Sequence, residues 1–266
     1  MRHMVLRYFR LWIAFFKNSL SRDMEFKINF LGDLFIDGVF YGSMYFFWGV
    51  IFSYVNSLGD FNQQAVIIFL IVMYLTDTVF VFFFGANTFT LNTMVIKGDL
   101  DLVLIKPVNP QFFMSFRYVM SYSIISFLIL LCLLLKLLFD YHGYISVINF
   151  IIFSFSFIIG ILIYYCIEFL ISCLVFWFRN FSVGGWLASE LTKYSRRPDS
   201  IYKGKFRRLV FTFFPMAMIS SVPARILIFG PKLDLILLQC FIALIALLIT
   251  HLVWNRGLKL YESASS

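Results

Sequence analysis

Six ionisable side chains lie within or at the edges of long apolar runs: Asp33, Asp37, Asp77, Lys136, Glu168 and Arg225. Placing an unpaired charge at the centre of a bilayer costs about 3 kcal/mol on insertion scales, so each should face protein or water. One chemistry open to them is transport: Asp77, Glu168 and Arg225 are candidates for a polar-lined path or a gating ion pair. The other is structural, a hydrogen bond or a protonated carboxyl holding helices together, and for Asp77 and Glu168 both readings stand. Lys136 lies near the end of its run, where a long side chain can reach the interface.

Enzymatic chemistry finds no support. A phosphate-binding loop needs G-x-x-x-x-G-K-[ST], and the only Gly-Lys pair, Gly204-Lys205, is followed by Phe206. H-E-x-x-H and G-x-S-x-G are absent, and the histidines His3, His142 and His251 are scattered. The four cysteines, Cys132, Cys166, Cys173 and Cys240, all lie in apolar runs without metal-ligand spacing. The sequence leads us to expect no catalytic residue, no metal and no cofactor held by this chain. An ion- or proton-coupled secondary transporter using Asp77 and Glu168 is the rival from another class. That class predicts inverted repeats, and none is visible.

The elements that must carry these residues follow from composition. The chain has 266 residues, 61% hydrophobic and 14% charged, where a soluble domain carries about 25% charged residues. The apolar residues come in runs long enough to cross a bilayer, so lipid is the solvent for most of the surface. The expected fold is an all-α membrane protein with six transmembrane helices, a single domain over 1–266. The net charge of +8 is concentrated in two places. Arg2, Arg7, Arg10, Lys17, Arg22 and Lys27 lie before residue 30, and eight cations lie between Arg179 and Arg208. The polar breaks at 56–64 and 140–144 hold no Lys or Arg. This asymmetry fits the positive-inside rule, and no basic patch on a soluble fold suggests nucleic acid.

Residues 1–28 read as an amphipathic helix in the cytoplasmic interface. Phe9, Ile13, Phe16 and Leu20 share one face, and Trp12 is placed as a headgroup anchor. Spans one to four fall in 30–178, at about 30–54, 65–84, 116–139 and 145–178, with a cytoplasmic loop at 87–111. The last span covers 235–254. Residues 179–230 admit two arrangements. In the first, 209–229 is the fifth span and the basic stretch is cytoplasmic. In the second, 182–195 crosses as a protein-buried helix and the Pro-containing part forms a re-entrant segment. Irregular backbone at membrane depth is tolerated only when shielded or facing water. Either way both termini lie inside.

The most informative stretch is Ile96-Lys-Gly-Asp-Leu-Asp-Leu-Val-Leu-Ile-Lys-Pro-Val-Asn-Pro-Gln-Phe112. Gly98 is expected to open a helix of about two turns, with Asp99 and Asp101 in its first turn, stopped by Pro107 and Pro110. Such a helix shows apolar side chains to the cytoplasm and calls for a partner.

This loop resembles the permease subunits of type-2 ATP-binding-cassette exporters, above all a bacterial subfamily with a Lys-Pro-Val-Asn-Pro loop. Ala14-Phe-Phe-Lys17 and Met24-Glu-Phe-Lys27 resemble its opening, and Pro198 and Pro215 its re-entrant region. The resemblance implies a multi-pass protein of the bacterial cytoplasmic membrane and a coupling helix formed by Lys97, Gly98, Asp99, Leu100, Asp101, Leu102, Leu104 and Ile105. That helix would dock on separate nucleotide-binding ATPase subunits, which hold the ATP and Mg. It further implies a second permease chain, identical or paralogous, with membrane lipid around the pair. It also places 198–230 on the outer side, against the charges of Lys203, Lys205, Arg207 and Arg208.

Overall fold

The computed structural model describes residues 2–141, 146–178, 181 and 183–261. His142 in the expected outer turn, and Arg179, lie outside the described residues. Among them the regular elements are helices, joined at one point by an isolated bridge between Leu58 and Phe61. The chain is an all-α membrane protein.

Helix α1 (Arg2–Glu25) is separated from α2 (Lys27–Phe52) by Phe26 alone. Helix α3 (Gln63–Phe80) starts at Asn62, whose side chain accepts from the Ala65 N–H at 2.8 Å. That cap satisfies one of the donors a helix start leaves free. Helix α3 does not stop at the membrane edge expected near residue 84. It passes through a π turn at Val81–Gly85 into α4 (Ala86–Lys97), making one rod over 63–97. Gly98, at φ +77°, ends it in the left-handed conformation that glycine adopts without a Cβ penalty.

Helices α5 (Asp101–Leu104) and α6 (Pro110–Phe116) form the loop that follows. Asn109 caps α6 by accepting from the Phe112 N–H at 3.0 Å, with Pro110 at the first helical position. Then come α7 (Ser123–Asp140), α8 (Val147–Cys173) and α9 (Gly184–Thr192). The chain ends in α10 (Gly204–Thr212), α11 (Ala217–Phe229) and α12 (Leu233–Leu260). Five helical segments are long and apolar enough to cross a membrane, and the pair α10–α11, bent by 98°, raises the number to as many as six.

In lipid, packing helices together does not exchange water for oil, so close contact and polar bonds must hold the bundle. Helix α11 is its centre. Every side chain from Ala217 to Ile228 is buried, against α8 and α3, while α2 at the edge buries only Trp48. Two devices let α11 sit so deep. Pro223 leaves the Ile219 carbonyl without its usual helical donor, and α8 approaches that carbonyl at Gly160. A Cβ on Gly160 would lie 2.4 Å from the Ile219 oxygen. One turn away, fully buried Gln239 of α12 donates to the Met218 carbonyl at 2.7 Å and to the Ser156 carbonyl at 3.1 Å. It also accepts from Ser156 Oγ at 2.7 Å. Three helices are thereby joined by one amide.

The direction of each helix follows from its contacts. Phe176, just past α8, packs on Trp254 and Tyr261 at the end of α12, so α8 and α12 run the same way. The stretch between them must therefore return to the opposite end. It does so before α10: Ser200 Oγ donates to the Leu58 carbonyl at 2.9 Å, in the loop between α2 and α3. The stretch 183–199 runs beside α8, with Gly184, Ala188 and Thr192 buried and the rest of α9 partly or fully exposed rather than protein-buried, and the α10–α11 pair folds back into the protein.

Candidate functional site

The loop 98–109 lies at the end of the bundle where the described residues begin and finish. Arg7 donates to the Pro107 carbonyl at 2.6 Å, and the Asn109 N–H donates to Tyr8 Oη at 3.0 Å. Farther along α1, Ser19 Oγ accepts from the Val119 N–H, and Asp23 accepts from both the backbone and the hydroxyl of Ser121. Helix α1 is thus bonded along its length to the segment 107–121. Trp12, expected as a headgroup anchor, instead packs on Phe16, Phe82 and Phe83 with ring centroids 5.6–6.4 Å apart. The π turn brings Phe82 and Phe83 to that side, and aromatic faces take up the indole that lipid headgroups would otherwise have met.

Within the loop, Gly98 closes α4 rather than opening the next helix, and α5 has one turn instead of two. Lys106 precedes Pro107, which disfavours helical backbone at Lys106 and removes a donor. The single turn sorts its side chains cleanly. Leu100 and Val103 are buried against Met94 and Phe113, whereas Leu102 and Ile105 are 59% and 79% exposed. Leu104 is exposed as well, and Lys97 and Asp99 flank the apolar patch. Asp101 faces the end of α12: burial, and then the Asp101 carboxylate, push the Tyr261 phenol above its ordinary pKa. The segment 97–105 therefore faces the end of α12 through Asp101, while its continuation from Pro107 is bonded to α1, with Leu102 and Ile105 exposed.

The intramembrane candidates do not form one site. Asp77 on α3 accepts from Tyr164 Oη at 3.2 Å and pairs with Arg196 at 3.4 Å. The Arg196 guanidinium also lies 5.5 Å from the centre of the Phe40 ring. Asp37 accepts from Ser126 Oγ at 2.8 Å, joining α2 to α7. Asp33 and Lys136 are exposed, Lys136 one turn from the end of α7. Glu168 is buried on α8 and lines a cavity of about 260 Å³ between α4, α8 and α9.

Arg225 stands at the other end. Its Nε donates to Asp199 Oδ1 at 2.7 Å, and its Nη2 reaches Asp60 Oδ2 at 3.5 Å. Fully buried Asp199 also accepts from Arg207 at 2.8 Å, and the rings of Phe61 and Phe229 flank the Arg225 guanidinium at 5.0 and 5.3 Å. The network ties α11, α10, the 199–201 turn and the α2–α3 loop together. Sequence reasoning missed Arg196, Asp199 and Asp60 as partners. The signal was present in Arg196-Arg-Pro-Asp199, an acid and a base in a stretch that borders membrane-depth residues, but the partners lie 26 to 165 residues away along the chain.

The family model described as ABC-2 family transporter protein matches residues 39–265. No curated protein and no solved structure matches the chain. The matched segment spans most of α2 through the end of α12 and contains the loop 98–109, Asp77, Glu168 and Arg225. The chain belongs to the ABC-2 transporter family and is a multi-pass membrane permease.

Proposed function

We propose that this permease forms half of an export pathway in a bacterial cytoplasmic membrane and is driven by ATP hydrolysis on a separate subunit. The observation that carries the reading is the one-turn segment Asp101–Leu104 with its neighbours. Leu102, Leu104 and Ile105 present an exposed apolar patch at a water-facing end, and such patches mark interaction sites. Lys97, Gly98 and Asp99 set the entry to that patch, and Leu100 anchors it from below. Because α12 faces Asp101 and α1 is bonded to the continuation at Pro107 and Asn109, a push on the loop would reach the first and last helices together. ATPase closure would then tilt the bundle, and the Arg225–Asp199 network at the far end would open or close the outer mouth. A second permease chain would complete the pathway, with the exposed face of α2 available to it or to lipid.

The test is a cysteine at Leu102. Co-expressed with its ATPase subunit, that cysteine should crosslink to the ATPase, and deletion of 98–105 should abolish export while the protein still reaches the membrane. Export that survives the deletion, or transport by the purified chain without an ATPase, would overturn the proposal.

A further inference from the structure

At the cavity beside Glu168, unmet polar groups of the described residues converge on open space. Glu168 is 7% exposed, and among the described residues its carboxylate makes no hydrogen bond or ion pair. Asn92, on the same wall, has a buried Oδ1 with no hydrogen-bond partner. Among the described residues the nearby cation is Arg196, which acts on both Asp77 and Glu168 but lies within ion-pairing distance of Asp77 alone. Among the described residues two carboxylates therefore share one guanidinium, which is bonded to Asp77 and leaves Glu168 without a bonded counter-charge. A buried carboxylate in that position must be neutralised by a proton or by a cation from outside.

The walls identify the cation. Thr88, Asn92, Glu168 and Ser172 supply oxygens, the Ser172 hydroxyl already donating to the Glu168 carbonyl, whereas Phe89, Phe181 and Trp186 supply aromatic faces. A hard metal ion takes six or more oxygen ligands, and this lining does not offer them. An organic ammonium needs one carboxylate and aromatic faces, which attract it through the ring quadrupole. The position suits an amphiphile. Five residues separate Glu168 from Cys173, so at 1.5 Å per residue Glu168 sits about 8 Å from the end of α8, at the same end of the bundle as the loop 98–109. Phe89 and Trp186 are each 62% exposed, so the cavity opens sideways, between α4 and α9, towards the bilayer.

We propose that this cavity is a lateral entry site for the ammonium head of a single-chain or lipid amphiphile, held by Glu168 and boxed by Phe89 and Trp186, with its tail left in the adjoining leaflet. The site deepens the permease reading and rests on it only for the direction of movement.

The test uses the full chain in nanodiscs of phosphatidylglycerol. Two photoreactive probes are compared: an alkyl trimethylammonium with a diazirine beside the head, and the same chain ending in a hydroxyl. The cationic probe should label the peptides around Phe89 and Trp186 about tenfold more than the neutral one, the ratio that roughly 1.4 kcal/mol of head recognition produces. Glu168→Gln should bring labelling down to the neutral level in a chain that elutes as the wild type. Trp186→Ala and Asn92→Leu, which keep the carboxylate, should each lower it several-fold and serve if Glu168→Gln does not fold. Equal labelling by the two probes, or undiminished labelling in the folded variants, would overturn the proposal. Competition by added phosphatidylethanolamine makes the bound head that of a bilayer lipid. Resistance to it, with loss of label when ATP is supplied to the complex with its ATPase, makes it cargo. Neither labelling arm needs the ATPase, so failure of the coupling proposal leaves them intact.

Discussion

Asp199 carries more of the molecule than any residue that hydropathy singles out. It is fully buried, it holds Arg225 at 2.7 Å and Arg207 at 2.8 Å, and it does so beside the aromatic rings that exclude water from Arg225. Removing one partner of a buried pair leaves an uncompensated charge and costs about 3–5 kcal/mol. Asp199→Asn should therefore lower the thermal unfolding midpoint of the detergent-solubilised protein markedly. Asp60→Asn should barely move it, since the Asp60 side chain is 69% exposed and reaches Arg225 only at 3.5 Å, within the range of exposed pairs worth about 0–1 kcal/mol. Equal effects would show that the network does not rest on Asp199. Arg225 was legible as a residue in need of a partner because it interrupts an apolar run. Its partner was not, because a carboxylate among Arg196, Arg197 and Ser200 looks solvated until the chain folds it under α11.

At the scale of elements, the joint between α8 and α11 sets how deep the central helix can sit. Gly160 faces the Ile219 carbonyl, which Pro223 has left without a helical donor, and a methyl group there would meet backbone rather than a movable side chain. Gly160→Ala should cost about 1–3 kcal/mol, the range for overpacking a tight interface, read as a lower unfolding midpoint. Wild-type stability in that variant would mean the two helices can separate freely. Neither the joint nor the π turn at Val81–Gly85 could be read from periodicity. The run 65–84 announced a span, but its continuation to Lys97 depends on a local widening of the helix that hydropathy does not encode. The loop 98–105 shows the same division. Its apolar exposure and the prolines that limit it were legible, whereas Gly98 acts as the end of α4 because its positive φ follows from the helix before it, not from the aspartates after it.

For the whole molecule, the parity of crossings meets the charge rule and the two disagree. The loop 98–109 and both described chain ends gather at one end, while Ser200 bonds to Leu58, Arg225 reaches Asp60 and Phe229 packs on Phe61 at the other. With 98–109 facing the ATPase, Lys203, Lys205, Arg207 and Arg208 lie on the outer side, where short loops normally lack cations. The rule acts on loops as they insert. Here Arg207 is neutralised by buried Asp199, and α10 turns by 98° into α11, which is packed on all sides. The helix is held by the protein rather than sorted by the loop charge. A cysteine at exposed Lys203, in a background with Cys132 and Cys240 replaced by alanine, should therefore react with a membrane-impermeant maleimide in intact cells. A cysteine at Ile105 should react only after permeabilisation. Labelling in the reverse order would invert the molecule, place the α5 patch outside, and remove the ground for an ATPase docking there. Labelling of both only after permeabilisation would break the contact between 199–201 and the α2–α3 loop, and with it the route of 183–199 across the membrane.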